Sequence, residues 1–346
     1  MKAFWIFLLA GAALLQWLAP SATLLPSQTA VWDLRLQLGA EPPMHGVDTL
    51  VADVSVEKGR QLVLEGRAPG SPGRVSKHFV CTSCHNVERD EPALDFVRPE
   101  ERLAYVRRQG LPYLPGSALY GIVNRTSFYN GDYESKYGEL VEPARNDLRE
   151  AIQLCATECA QGRLLEGWEL ESVLAYLWTL ELTLSDLALS PAEQTRLDRA
   201  LAGKEASRAA LEMLDSKYAR AAPATFAKPP ADRQAGYAHA APDLQQGRFL
   251  YESACLHCHE NERYAFFNLD NSIFSFRQLE KNIGKYTKWS LYQVICYGTS
   301  PISGKRAYMP NFTEQKMSRQ QVEDLRAYIE WRAEGHQADE LAPGRR

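Results

Sequence analysis

The sequence predicts a mainly α-helical protein, two small helical domains joined by a helical and Pro/Ala-rich linker. Three observations carry that expectation. The chain has 346 residues, a length that ordinarily divides into about two domains, each able to bury a core. Its halves repeat one plan: a Gly-Arg pair opening a helix, a Cys-x-x-Cys-His motif, and a closing helix with a tyrosine. Apolar residues of the closing helices recur at helical spacing.

In chain order, Lys2 precedes an apolar run from Ala3 to Leu15, with Pro20-Ser21-Ala22 after it. That is the shape of a signal peptide over 1–22. The run falls short of the ~20 residues of a membrane span, and an uncleaved anchor is the alternative. The first domain is expected over 55–185. Gly59-Arg60-Gln61-Leu62 opens its first helix, a Gly/Pro-rich loop from Gly66 to Gly73 follows, and Val173 to Leu177 lie on its last helix. The linker is expected over 186–240. Ser190-Pro191-Ala192-Glu193 sets serine at the cap, proline in the first turn and glutamate three residues after the cap. These predict a helix to about Ala219, in which Met213 reads as a packing residue. From Ala222 to Pro230 no apolar periodicity remains, and an extended chain is expected. The second domain is expected over 241–335. Gly247-Arg248-Phe249-Leu250 leads toward Cys255, and Val322, Leu325, Tyr328 and Ile329 share a helix that starts with a Ser318/Gln321 capping box.

The two motifs, Cys81-Thr-Ser-Cys84-His85 and Cys255-Leu-His-Cys258-His259, carry the chemistry. Thiols at this spacing reach the two vinyl groups of one porphyrin while the adjacent histidine swings under the ring to ligate iron. A zinc site would want four ligands, and neither motif has a second Cys-x-x-Cys nearby. The implied cofactors are two covalently bound haem c, attached at Cys81, Cys84, Cys255 and Cys258, with His85 and His259 as metal ligands. With the N-terminal segment, this sets the expected location outside the cytoplasm, in the periplasm.

The order of elements resembles the cytochrome c fold, in which an N-terminal helix runs into Cys-x-x-Cys-His and crosses a C-terminal helix carrying an aromatic residue. The resemblance covers about 55–185 and 240–335. It implies that Met309, in Tyr308-Met309-Pro310 before the last helix, is the second iron ligand of the second haem, while Met317 reads as core.

The first domain needs another solution, because no methionine and no further histidine occurs from Asn86 to Leu184. An alternative ligand or an open site is required. Cys155 and Cys159 lie in the corresponding place. On an intact helix residues i and i+4 have β-carbons ~6 Å apart, whereas a disulfide wants ~3.8 Å, so their pairing requires a broken helix. With Cys296, three cysteines stand outside the motifs, and at least one is unpaired.

Ile152-x-x-Cys155, Gly162-Arg163-x-Leu165 and Leu174-Ala175-Tyr176-Leu177, taken with the first motif, are similar to the first domain of di-haem thiosulfate dehydrogenases, cysteine-ligated sulfur-oxidation cytochromes. The resemblance implies His85 and Cys155 as metal ligands of the first haem, and His259 with Met309 on the second. It makes Cys155 a catalytic residue, with Arg163 the leading cation for a dianionic substrate, Arg125 second and Arg145 third. Residues 86–150 depart from that family. The stretch Asn124 to Asn130 with Tyr133 and Tyr137 has no counterpart there, and neither does Cys159.

Two function classes follow. The first is an exported di-haem electron carrier passing electrons from a low-potential haem to a His/Met haem and on to a redox partner protein. The alternative is a periplasmic thiosulfate dehydrogenase or related sulfur-compound oxidoreductase, with a small sulfur oxyanion as substrate. A thiol/disulfide sensor built on Cys155 and Cys159 is a third. Membrane contact is expected only through an uncleaved N-terminus. The net charge of −4 argues against nucleic acid as a partner, and no Gly-rich phosphate loop, His-Glu-x-x-His or Gly-x-Ser-x-Gly stands in a credible context. Lys285 and Lys305 read as docking charges or alternative ligands near the second haem.

Overall fold

The computed structural model describes residues 25–238, 240–300 and 308–341; the predicted signal segment and Lys305 lie outside them. The α-helices longer than one turn are α1 (Val31–Gln37), α2 (Val56–Glu65), α3 (Pro99–Gln109), α4 (Tyr133–Tyr137), α5 (Leu148–Leu154) and α6 (Gly167–Trp178). The second half adds α7 (Pro191–Leu201), α8 (Ser207–Asp215), α9 (Leu244–Leu250), α10 (Ile273–Ile283), α11 (Leu291–Tyr297) and α12 (Arg319–Ala333). The described residues form isolated β-bridges and no strand.

The repeated plan in the sequence becomes the same helix crossing twice, α2 on α6 and α9 on α12. A glycine sits at each crossing. A Cβ on Gly59 would stand 1.8 Å from the Ser172 carbonyl oxygen, and one on Gly247 would stand 2.1 Å from that of Asp324. Glycine is therefore what lets each pair of backbones close. The two tyrosines noted at matching positions, Tyr176 and Tyr328, present their Cβ atoms to these same glycines at 2.9 and 2.7 Å. The chain is two cytochrome c-like helical units with a helical and extended connection.

Caps set the helix limits. The Ser55 hydroxyl accepts from the Lys58 N–H and Gly66 closes α2 at φ 72°, a conformation glycine adopts without strain. Ser318 and Gln321 form the capping box of α12. Ser190 and Glu193 form that of α7, but the expected helix to Ala219 is interrupted. Gly203 at φ 68° ends α7, with the Lys204 N–H returning to the Arg199 carbonyl, and the chain restarts as α8.

The core is divided three ways. Leu62, Val63, Leu148, Leu174 and Leu177 anchor the first cluster; Leu250, Tyr251, Ile295, Leu325 and Ile329 anchor the second. A third joins α1 to α7 and α8 through Val31, Leu34, Leu197 and Leu214. Met213 is buried there, as a packing residue. Helix α3 comes from the first half of the chain, yet Leu103, Val106 and the following Tyr113 pack in the second cluster. Gln321 Nε2 donates to the Pro99 carbonyl at 2.9 Å across this junction, and the Tyr113 hydroxyl donates to the Lys316 carbonyl. The halves are thus interlocked through 88–115, which brings the two motifs together.

Candidate functional site

Each motif histidine is held the same way. His85 Nδ1 donates to the Ser117 carbonyl at 2.7 Å, and His259 Nδ1 donates to the Phe267 carbonyl at 2.7 Å. A backbone acceptor on Nδ1 fixes the tautomer and leaves Nε2 as a free lone pair, the arrangement an iron ligand needs. Burial lowers the proton affinity of both rings, which keeps them neutral. Gly116 makes the first contact attainable: a Cβ there would lie 2.6 Å from the His85 ring and 2.5 Å from the Cys84 carbonyl oxygen.

Each motif opens onto a cavity of its own. The first, about 330 Å³, is walled by Cys81, Cys84 and His85 with Leu62, Val63, Phe128 and Leu148 among its apolar residues. The second, about 280 Å³, is walled by Cys255, Cys258 and His259 with Leu279, Trp289, Ile295 and Phe312. None of the four motif cysteines is in a disulfide, and burial raises the proton affinity of their thiols, that of Cys81 to about 11 and that of Cys255 to about 12. Two neutral thiols and one imidazole facing one apolar cavity fit a covalently held porphyrin, and the fit is the same at both places.

The cavities share walls. Phe79, Cys84, Pro115, Tyr308 and Pro310 line both, and the Cys258 thiol points at the Ser83 carbonyl at 3.9 Å. The His257 imidazole lies against the Thr82 and Ser83 backbone. The attachment segments of the two motifs therefore touch.

Two methionines, Met309 and Met317, line the second cavity. Met309 is set by a bridge to Thr299, whose N–H donates to the Met309 carbonyl at 2.9 Å while its hydroxyl accepts from the Met309 N–H at 2.8 Å. Met317 is almost fully buried in the core.

In the first cavity both Cys155 and Cys159 face the void. Helix α5 does not continue intact through them; Cys155–Cys159 is a π-helical turn, the kind of local widening often found at functional positions. The thiols are free yet in hydrogen-bond contact. Cys159 accepts from the Tyr137 hydroxyl at 3.2 Å, with the Tyr129 hydroxyl at 4.0 Å. Donation from Cys155, and then from the phenols, lowers the Cys159 proton affinity, while its role as donor raises that of Cys155. The stretch without counterpart in the sequence comparison, Tyr129 to Tyr137, is thus the wall around the unexpected cysteine. Tyr308 joins it from the other half, its hydroxyl 2.9 Å from that of Tyr137.

The arginine ranking is corrected. Arg163 was expected beside the iron, but it is absent from the cavity wall; its guanidinium forms a two-pronged pair with Glu169 at 2.6 and 2.8 Å. The cause is local. Gln161 at φ 52° and Gly162, whose Cβ would strike the Val75 carbonyl at 2.2 Å, turn the chain away after Cys159. Arg145 pairs with Glu134 at the surface. Arg125 lines the cavity. Lys285 is exposed outside the second cavity, whereas Lys288 is on its wall.

Sequence reasoning also missed the connecting segment as a wall. Ala219, Ala221, Ala222, Pro223 and Ala224 close one side of the first cavity. The Arg220 carbonyl accepts from Thr126 and Ser127, the Ala224 carbonyl from Asp132, and the Thr225 carbonyl from Glu314. The extended chain is a strap fixed to both halves.

Residues 242–329 match the family model described as cytochrome c oxidase, cbb3-type, subunit III. This stretch is a c-type cytochrome domain. Such a domain carries covalently bound haem c and transfers electrons with a redox protein partner; Cys255, Cys258 and His259 are its residues placed to hold the group. No curated protein and no solved structure matches the chain.

Proposed function

We propose that the protein is an exported, periplasmic di-haem c-type cytochrome that accepts electrons at the first motif and delivers them through the second to a redox partner protein. The observation that supports this best is the duplicated site: two Cys-x-x-Cys-His motifs, each with Nδ1 tied to a carbonyl, each facing its own apolar cavity. Bound haem would supply one-electron storage at each place. The chain's own contribution would be to seat the two groups on either side of the shared wall of Phe79, Cys84, Pro115 and Tyr308, to exclude water with apolar walls, and to make the environments unequal. Met309 would offer a soft ligand that favours the reduced metal, and a sulfur ligand from Cys155 would favour the oxidised one. A spectroelectrochemical titration should resolve two one-electron steps, with the lower lost in Cys155→Ser. A single step carrying both electrons, unchanged in that variant, would count against the unequal pair.

A second reading, a thiosulfate dehydrogenase-like oxidoreductase, is favoured by the presence of Cys155 and Arg125 on one cavity wall. Oxidation of two thiosulfates to tetrathionate releases two electrons, matching two one-electron sites. Thiosulfate-dependent reduction of an artificial acceptor, with tetrathionate quantified and Cys155→Ser as control, tests it; absence of turnover in the parent returns the protein to the carrier class.

A further inference from the structure

An iron in the first cavity takes one sulfur from the distal wall, and the wall offers two. Cys155 and Cys159 both face the cavity, in contact and not bonded to one another. Their turn is held from several sides. The Ala160 N–H returns five residues to the Cys155 carbonyl at 2.9 Å, and the Gly162 N–H reaches the Ala156 carbonyl at 2.9 Å. The Thr157 hydroxyl, between the two cysteines in sequence, donates back to the Gln153 carbonyl at 3.1 Å, and the Ser76 hydroxyl donates to the Ala160 carbonyl at 2.5 Å.

On an intact α-helix the β-carbons of residues i and i+4 stand ~6 Å apart, too far for the ~3.8 Å of a disulfide. Here the turn is π-helical and the sulfurs meet, so the geometry that forbids a bond on an intact helix is absent. Cys159 also contacts the Tyr137 hydroxyl at 3.2 Å, which lies 2.9 Å from that of Tyr308. Because Tyr308 lines both cavities, the sulfur pair is connected to the walls of both motif sites.

We propose that Cys155 and Cys159 are a dithiol/disulfide redox centre that exchanges electrons with the two bound haems. Oxidation breaks both S–H bonds and makes one S–S bond; two protons go to solvent and two electrons leave, one to each ferric haem. Reduction reverses each step. The electron route rests on the two-haem reading given under the proposed function, whereas the bond between the sulfurs does not. The pair is a two-electron store beside two one-electron sites, and closing its bond withdraws Cys155 as a sulfur ligand of the first haem.

The test uses purified holoprotein, parent and Cys159→Ser. Haem per chain is counted first; the protein, fully reduced under argon and freed of reductant, is then titrated to completion with ferricyanide. Electrons released by the parent should exceed its haems by two, and those released by Cys159→Ser should equal its haems. The excess is read against whatever haem count is found, so a chain with one haem overturns the di-haem reading while the excess still judges the sulfur pair. Alkylation after denaturation maps the bond. In the reduced parent Cys155, Cys159 and Cys296 should all be labelled; in the oxidised parent Cys155 and Cys159 should be unlabelled and joined, with Cys296, buried against Tyr237, labelled as the internal control. This mapping needs no variant and stands if Cys159→Ser fails to fold. A parent whose electrons equal its haems, with both cysteines labelled after full oxidation, overturns the assignment.

Discussion

Gly59→Ala tests the helix crossing on which the first site is built. The added Cβ would lie 1.8 Å from the Ser172 carbonyl oxygen and 2.9 Å from the Tyr176 Cβ. Neither neighbour is a flexible side-chain end, so relief requires α2 and α6 to part by about 1.6 Å to reach ordinary contact at 3.4 Å. A gap of even ~0.5–1 Å forfeits a quarter to a half of the dispersion energy across a packed seam, and overpacking ordinarily costs ~1–3 kcal/mol. The expected loss is at the top of that range, about 3 kcal/mol, or roughly 6–12 °C in thermal midpoint for a domain of this size. Gly167→Ala is the control. It lies at the first position of α6 with nothing within 4 Å of a Cβ, and alanine there should be neutral or stabilising by up to ~1 kcal/mol. Urea unfolding followed by far-ultraviolet circular dichroism compares the two. A Gly59→Ala midpoint within ~0.5 kcal/mol of the parent, inside ordinary surface-substitution scatter, would refute the crossing.

Met309→Ala is expected to change the absorption of the second haem alone, while Met317→Ala leaves the spectrum and costs ~2–5 kcal/mol of stability, as large-to-small core changes do. Lys316→Met leaves the buried Glu91 carboxylate unpaired and should cost ~3–5 kcal/mol, most of it recovered in the double variant with Glu91→Leu; no recovery in a double-mutant cycle would mean the pair is not coupled. The last concerns pH. Burial alone would raise the Asp90 carboxyl, but Arg102 and Lys316 outweigh it and hold it below its usual value. A group depressed in the folded state stabilises above its unfolded pKa, near ~4, and that contribution disappears as pH falls through the folded value. Asp90→Asn should therefore be less stable than the parent at pH 6 and converge with it toward pH 2, measured as urea midpoints; parallel curves would exclude the linkage.

Local rules made much of this molecule legible. The crossing glycines announced themselves as Gly59-Arg60 and Gly247-Arg248 because a repeated close approach leaves a repeated small residue. Ser190, Pro191, Glu193, Ser318 and Gln321 marked helix starts through capping, which depends on four consecutive residues only. What escaped were contacts made by closure of the chain on itself. Nothing near Tyr308 in sequence indicates that its hydroxyl reaches Tyr137 in the other half, and the apolar stripe of α3 does not say which core it joins. Arg163 looked well placed because it follows the cysteine turn, but two residues with special backbone geometry redirected it to Glu169 while Arg125, thirty residues upstream of Cys155, took the wall. The absence of periodicity over 222–230 correctly indicated extended chain; it carried no information that this chain is bonded to both halves.

The most direct test of the account is the haem count of the intact chain, by mass spectrometry and pyridine haemochrome absorbance together. Two haem c per chain are predicted in the parent, and one each in Cys81→Ser/Cys84→Ser and in Cys255→Ser/Cys258→Ser. One haem in the parent, lost only with the second motif, would contradict the paired sites and leave the first cavity to another ligand.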